Sequence, residues 1–134
     1  MSKNPTNLNP IPEIFSQFPK VQAVYLFGSV ASGNMHPESD LDLGIKGEEG
    51  IKDQQLDILT ELARHGFCHV DLVFMNTNDI FMKYEIVRQH KILYKREDFE
   101  AKSYYSLVMR QYEDFYPYLK IQRKAFKQRL LNGN

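Results

Sequence analysis

The sequence carries no surplus of either charge. Its 17 lysines and arginines are matched by 17 aspartates and glutamates, so no global field draws the chain to nucleic acid or to an anionic membrane. Any polyanion must be held by a local patch. There is one cysteine, Cys68, which excludes an internal disulfide and suits a reducing cytosol. The longest unbroken apolar run, AVYLF at residues 23–27, is far below the ~20 residues that cross a bilayer. The opening stretch MSKNPTNLNPIPE lacks the apolar core of a secretion signal. A cytoplasmic location is the expectation from these absences. What is present is ordinary: 43% hydrophobic and 25% charged residues, which excludes collagen and wholesale disorder. A chain of 134 residues builds one core and buries roughly two thirds of its unfolded surface.

Periodicity gives the order of elements. Residues 1–10, rich in Asn and Pro, have little to bury and read as a flexible arm. Pro12 suits the first turn of a short helix with Ile11, Ile14, Phe15 and Phe18 on one stripe, and Pro19 ends it. Residues 21–27 are dense in β-branched and aromatic side chains and close on Gly28, the pattern of a buried strand entering a turn. A second strand spans residues 41–45. Over residues 53–64 the apolar positions Leu56, Leu59, Leu62 and Ala63 recur at helical spacing, with Gly66 placed as the stop. A third strand follows at residues 70–75. Asn76, Thr77 and Asn78 offer caps for a helix reaching about Arg88, and a short fourth strand spans residues 92–94. This succession predicts an α/β (α+β) fold with a small mixed β-sheet and flanking helices. Residues 98–131 form a long C-terminal helical segment, with Tyr105, Tyr112, Leu119 and Phe126 spaced by seven and Val108 and Phe115 between them. Pro117 interrupts it, predicting two helices or one kinked helix. Beyond Pro117 the segment carries Lys120, Arg123, Lys124, Lys127 and Arg129 and no acidic residue. The expected organisation is an arm over 1–10, a core over 11–97 and a helical extension over 98–134.

The chemistry lies in LFGSVASGNMHPESDLDLGI, residues 26–45. Asp40 and Asp42 stand two apart on a strand, so both point to one face while Leu41 and Leu43 point to the other. Like charges side by side on a strand repel unless a cation lies between them. Hard oxygen ligands select Mg²⁺ or Mn²⁺, and two ions ~3.5–4 Å apart are a recurrent arrangement. Gly28 and Ser29 follow a buried strand directly. There a glycine admits a phosphate close to the backbone, and free N–H groups with the serine hydroxyl cradle its oxygens. A third carboxylate, Asp71, lies in CHVDLVF, where alternation sends Val70, Leu72 and Phe74 to one face and Asp71 to the other. The 28 residues between Asp42 and Asp71 suffice for a crossover helix that returns the third strand beside the second.

Gly-Ser, ten residues, Asp-x-Asp, and then a lone Asp on a later apolar strand resembles the nucleotidyltransferase superfamily that includes DNA polymerase β. The small size is similar to its minimal nucleotidyltransferase (MNT) branch, the antitoxins of HEPN-domain toxins. The resemblance implies the nucleotidyltransferase fold. It also implies transfer of AMP from ATP to a tyrosine of a cognate HEPN ribonuclease toxin, by two-metal in-line displacement at the α-phosphate. By that resemblance Gly28 and Ser29 bind phosphate, Asp40 and Asp42 share two Mg²⁺ or Mn²⁺ ions, and Asp71 ligates the catalytic metal and assists deprotonation of the attacking hydroxyl. The implied partners are the toxin, in a hetero-oligomer, and ATP, with no membrane and no direct nucleic acid. One position departs from the family pattern: Ser32 stands where an arginine is common. That leaves open a weakly active or purely binding inhibitor, and a small-molecule nucleotidyltransferase is the further alternative.

Overall fold

The computed structural model describes residues 4–28 and 40–131, the end of the last helix in part by backbone alone. The elements are helix α1 (Pro10–Ser16), strands β1 (Val21–Phe27) and β2 (Leu41–Gly47), a 3-10 turn (Ile51–Gln54), helix α2 (Gln55–Arg64), strand β3 (Val70–Phe74), helix α3 (Ile80–Val87), strand β4 (Ile92–Lys95) and helix α4 (Ala101–Leu131). The strands form one sheet in the order β3-β2-β1-β4. β1 pairs antiparallel with β2 and with β4, while β2 and β3 run parallel. The sheet is therefore mixed, and the crossover through α2 returns the chain parallel, as the spacing predicts.

Alternation along the strands divides the core between two faces. On one, Val24, Leu26, Leu41, Leu43, Ile45 and Leu72 pack with Ile11, Ile14 and Phe15 of α1 and Ile58 and Leu62 of α2. On the other, Ala23 and Tyr25 pack with Ile86 and Val87 of α3 and Phe99 and Val108 at and within the start of α4. Helices cover both faces, which is why the strands read as nearly continuous apolar runs. Gly44 seats α3 on the second face: a Cβ there would stand 2.9 Å from Ile86 Cγ2 and 3.4 Å from Met75 Sδ.

Four local expectations need correction. In α2 the buried residues are Ile58 and Leu62, while Leu56 is 74% exposed and Ala63 faces water. Burial of Ile51 in the preceding turn selects the face centred on Ile58 and Leu62, and this overrides the Leu56 spacing. α3 starts later than expected, capped by Asp79, whose carboxylate accepts the Met82 N–H at 3.1 Å. Asn76 instead clamps the end of β2, donating to the Gly47 carbonyl at 2.8 Å and accepting from its N–H at 3.3 Å. Of two helices or one kinked helix, the first is excluded: α4 is one helix through Pro117, and the carbonyl that the proline leaves without its helical donor belongs to exposed Glu113, where water can reach it. Within the segment read as an arm, Asn4 bonds the backbone of His69 on both sides (2.7 and 3.0 Å) and Leu8 packs on the core. The helix stop is as expected, with Gly66 at φ +90 donating to the Ala63 carbonyl.

Among the described residues no helix is long and apolar enough to cross a membrane.

Candidate active site

The strand registers assemble the acidic residues. The parallel pairing sets Asp71 beside Asp42, and the antiparallel pairing sets Phe27 on the other side of Asp42. One row thus crosses three strands as Asp71, Asp42, Phe27. Because Leu41 and Leu43 are buried against the α1 and α2 face, Asp42 stands on the opposite one, with Gly44 and Lys46 following at the same parity. Asp40 precedes the first residue of β2 and is exposed, whereas Asp42 is half-buried. The sequence pattern therefore places all three carboxylates at one end of the sheet, but as a cross-strand pair with a neighbour. Among the described residues no three His, Cys, Asp or Glu side chains converge into a ready metal cage.

The pair is electrostatically loaded. Burial pushes the Asp42 carboxyl above the ordinary carboxylate range, and the charges of Asp71 and then Asp40 push it further. Among the described residues no ion pair engages Asp40, Asp42 or Asp71. Lys46, on the same face, is turned to other work: its Nζ bonds Gln22 Oε1 at 2.9 Å and lies 5.6 Å from the centre of the Tyr104 ring. Burial first, and then the charge of Lys83, lower its proton affinity. The acidic end thus has hard oxygen donors and, among the described residues, no ion-pair partner, which is the donor chemistry that fits a divalent cation.

Gly28 shows why β1 must end on a glycine. It adopts φ +78, a conformation that side chains disfavour, and an added Cβ would collide with the Asp42 carboxylate, 3.1 Å from its Cγ. The Gly28 backbone thus packs directly on the Asp42 carboxylate. Ser29 and Ser32 lie outside the described residues. Sequence reasoning did not single out Gly44, although its parity with Asp40 and Asp42 signals a close approach on that face. Nor did it single out His90, which sits at φ +54 just before β4 and which no sequence motif marks.

A family model described as Polymerase beta, Nucleotidyltransferase matches residues 9–99. Protein adenylyltransferase MntA of Shewanella oneidensis is 28% identical over 109 residues, spanning 80% of this chain and 74% of the relative. A crystal structure of a toxin-antitoxin with AMP-PNP shares the fold with a TM-score of 0.68 and 24% identity, over 93% of this chain and 98% of the other. A Shewanella oneidensis structure of a tri-AMPylated HEPN toxin in complex with its MNT antitoxin gives a TM-score of 0.61 at 22% identity, over 92% and 95% of the two chains.

Proposed function

The chain belongs to the polymerase beta nucleotidyltransferase family, and we propose that it is an antitoxin that transfers AMP from ATP to a tyrosine of a HEPN-domain toxin, with which it forms a hetero-oligomer. The observation that carries this reading is the row in which Asp42 lies between Asp71 and Phe27 with Gly28 folded onto its carboxylate. The similarity to MntA and to the AMPylated complex supports the acceptor class.

In this reading Asp40, Asp42 and Asp71 hold two Mg²⁺ ions, or Mn²⁺, and Gly28 with Ser29 holds the phosphates. Bound divalent ions supply charge neutralisation at the α-phosphate and at the attacking and leaving oxygens. The residues of the chain do the rest. The Gly28 turn orients the triphosphate by its backbone N–H groups. Asp71, beside Asp42 on the neighbouring strand, takes the proton of the attacking hydroxyl. Pyrophosphate leaves in line with attack. The catalytic core we propose spans 11–97, preceded by the segment 1–10 and followed by the helical extension 98–134.

That extension suits the toxin as docking surface. A helix of 31 residues is about 46 Å long, and its packing on α3 reaches Tyr112, whose ring stacks on Tyr84 at 3.6 Å. Beyond it Phe115, Tyr116, Tyr118 and Ile121 are 41–67% exposed, in the stretch whose charges after Asp114 are all basic. Exposed aromatics among cations fit an apolar partner patch with an acidic rim. The test is intact-mass analysis of the cognate HEPN protein after co-expression with this chain. Mass increments of AMP on a single tyrosine-containing peptide are expected, and their absence when Asp40 and Asp42 are intact would refute the reading.

A further inference from the structure

The segment before α1 is tied to the strand that carries Asp71. Asn4 donates from its side-chain amide to the His69 carbonyl at 2.7 Å and accepts the His69 N–H at 3.0 Å, across 65 residues of sequence. One side chain thus makes both hydrogen bonds that a neighbouring antiparallel strand would make to that residue. β3 is an edge strand, with β2 on one side only. The same His69 carbonyl accepts the Leu41 N–H at 2.8 Å, the rung that precedes the pair Asp42 and Asp71. Asn4 therefore binds where Leu41 stands between Asp40 and Asp42 on β2, two residues before Asp71 on β3. Burial does little to hold this stretch: Phe67 and Leu72 lie in the core, but between them Cys68, His69 and Asp71 are exposed and Val70 is half-buried. Asn4 is held in its turn. Leu8 packs on the core and its carbonyl accepts the Ile11 N–H at 3.0 Å, while Pro5 Cγ lies 3.3 Å from where a Cβ on Gly66 would stand.

We infer that Asn4 is a positioning residue for nucleotidyl transfer, whose side chain holds the first residues of β3 against β2 and so fixes Asp71 relative to Asp40 and Asp42. This rests on the nucleotidyl-transfer reading above and concerns a residue outside the stretch that the family model matches, 9–99. Asp42 and Asp71 are like charges opposite each other on neighbouring strands, and they push those strands apart. They do so at a strand end, where ladders open first. β2 is held by β1 on its other side, so β3 is the strand that gives. Two further hydrogen bonds on the His69 backbone oppose that displacement. The requirement is for an asparagine, because a side-chain amide offers one donor and one acceptor side by side, whereas a carboxylate offers two acceptors. Carboxylates that share metal ions must keep their geometry to within roughly 0.5 Å, and groups that hold such ligands from behind are worth about tenfold or more in metal affinity or activity. Asn4 acts in this way through the His69 backbone and touches no reacting atom.

The test uses the full chain and three variants. Asn4→Ala removes both hydrogen bonds, and Asn4→Asp keeps an acceptor for the His69 N–H while setting an oxygen against the His69 carbonyl. Ile58→Val, in the core of α2, lowers stability without touching Asn4. Two measurements are made well below the lowest Tm: amide hydrogen exchange in EDTA, and AMP transfer to the cognate HEPN protein as a function of Mg²⁺ at saturating ATP. In both Asn4 variants, exchange over residues 40–43 and 69–72 should quicken while residues 23–25 and 86–87 stay protected. Half-maximal transfer should need about tenfold or more Mg²⁺, with the KM for the HEPN protein unchanged and Asn4→Asp at least as impaired as Asn4→Ala. Ile58→Val should melt lower yet keep the wild-type Mg²⁺ requirement. Wild-type exchange over 40–43 and 69–72 in both Asn4 variants overturns the inference. Faster exchange with wild-type transfer overturns it as well, because Asn4 then supports the fold alone. So does an equal rise in Mg²⁺ requirement in Ile58→Val, since lost stability would then be the cause. Wild-type chain that transfers no AMP sinks the nucleotidyl-transfer reading itself, and the role of Asn4 with it, whatever the exchange shows.

Discussion

Replacing Asp42 by asparagine should stabilise the metal-free protein while disabling it. In the fold Asp42 is half-buried, stands directly across from Asp71 and feels Asp40. Like charges opposite each other on neighbouring strands cost roughly 0.2–1 kcal/mol, and asparagine removes that repulsion and part of the desolvation penalty without changing shape. For a domain of this size the gain corresponds to a rise in Tm of about 1–4 °C in EDTA at neutral pH. The pH dependence has a definite sign. The folded carboxyl has its proton affinity raised above 3.8, so Asp42 contributes stability that is fully present below pH 3.8 and lost as pH rises through the raised folded value. The advantage of the variant is therefore full at neutral pH and fades as the pH falls toward 3.8. Ligand linkage runs the other way: a nucleotide at a hundredfold its Kd stabilises by about 2.7 kcal/mol, and Asp42→Asn should forfeit most of that shift. Melting curves with EDTA and with Mg²⁺–ATP, on wild type and variant, read both signs. A variant that melts lower in EDTA would show that Asp42 supports the fold and is not held against repulsion for a ligand. An undiminished Mg²⁺–ATP shift would place the nucleotide elsewhere.

Three further expectations concern other links in the argument. Gly44→Ala sets a methyl 2.9 Å from Ile86 and should cost about 1–3 kcal/mol by denaturant melt; a neutral result would mean that α3 is not seated on the sheet by that glycine. The Tyr104 hydroxyl is buried and, among the described residues, has no hydrogen-bond partner, and burial pushes it up to about 12, so Tyr104→Phe should be neutral or stabilising. Its contribution is fully present below pH 10 and lost as pH rises toward 12, so the variant should melt less steeply with alkali over that window, and an identical alkaline profile would contradict the assignment. Ending the chain at Tyr116 should spare Mg²⁺–ATP binding and abolish pull-down of the HEPN partner, whereas labelling at the full-length rate would locate docking in the core.

Spacing alone made much of the site legible. Asp40, Asp42 and Asp71 could be read as facing one way because strand alternation is a local rule, and Gly28 because a tight turn after a buried strand demands it. The return of β3 beside β2 followed from the length of the crossover, while the order β3-β2-β1-β4 did not. Local rules failed where a choice depended on what packs opposite. Leu56 matches the helical period as well as Ile58 does, and only the sheet beneath decides which is buried. Asn76 is as good a cap as Asp79 until the end of β2 claims its amide. Pro117 forbids one hydrogen bond, but whether the helix continues depends on whether the freed carbonyl faces water. Tertiary structure alone set Asp71 next to Asp42 and folded Gly28 onto a carboxylate 14 residues away in sequence. Those are register relations between strands, fixed by which apolar faces are buried together, and no window along the chain contains them.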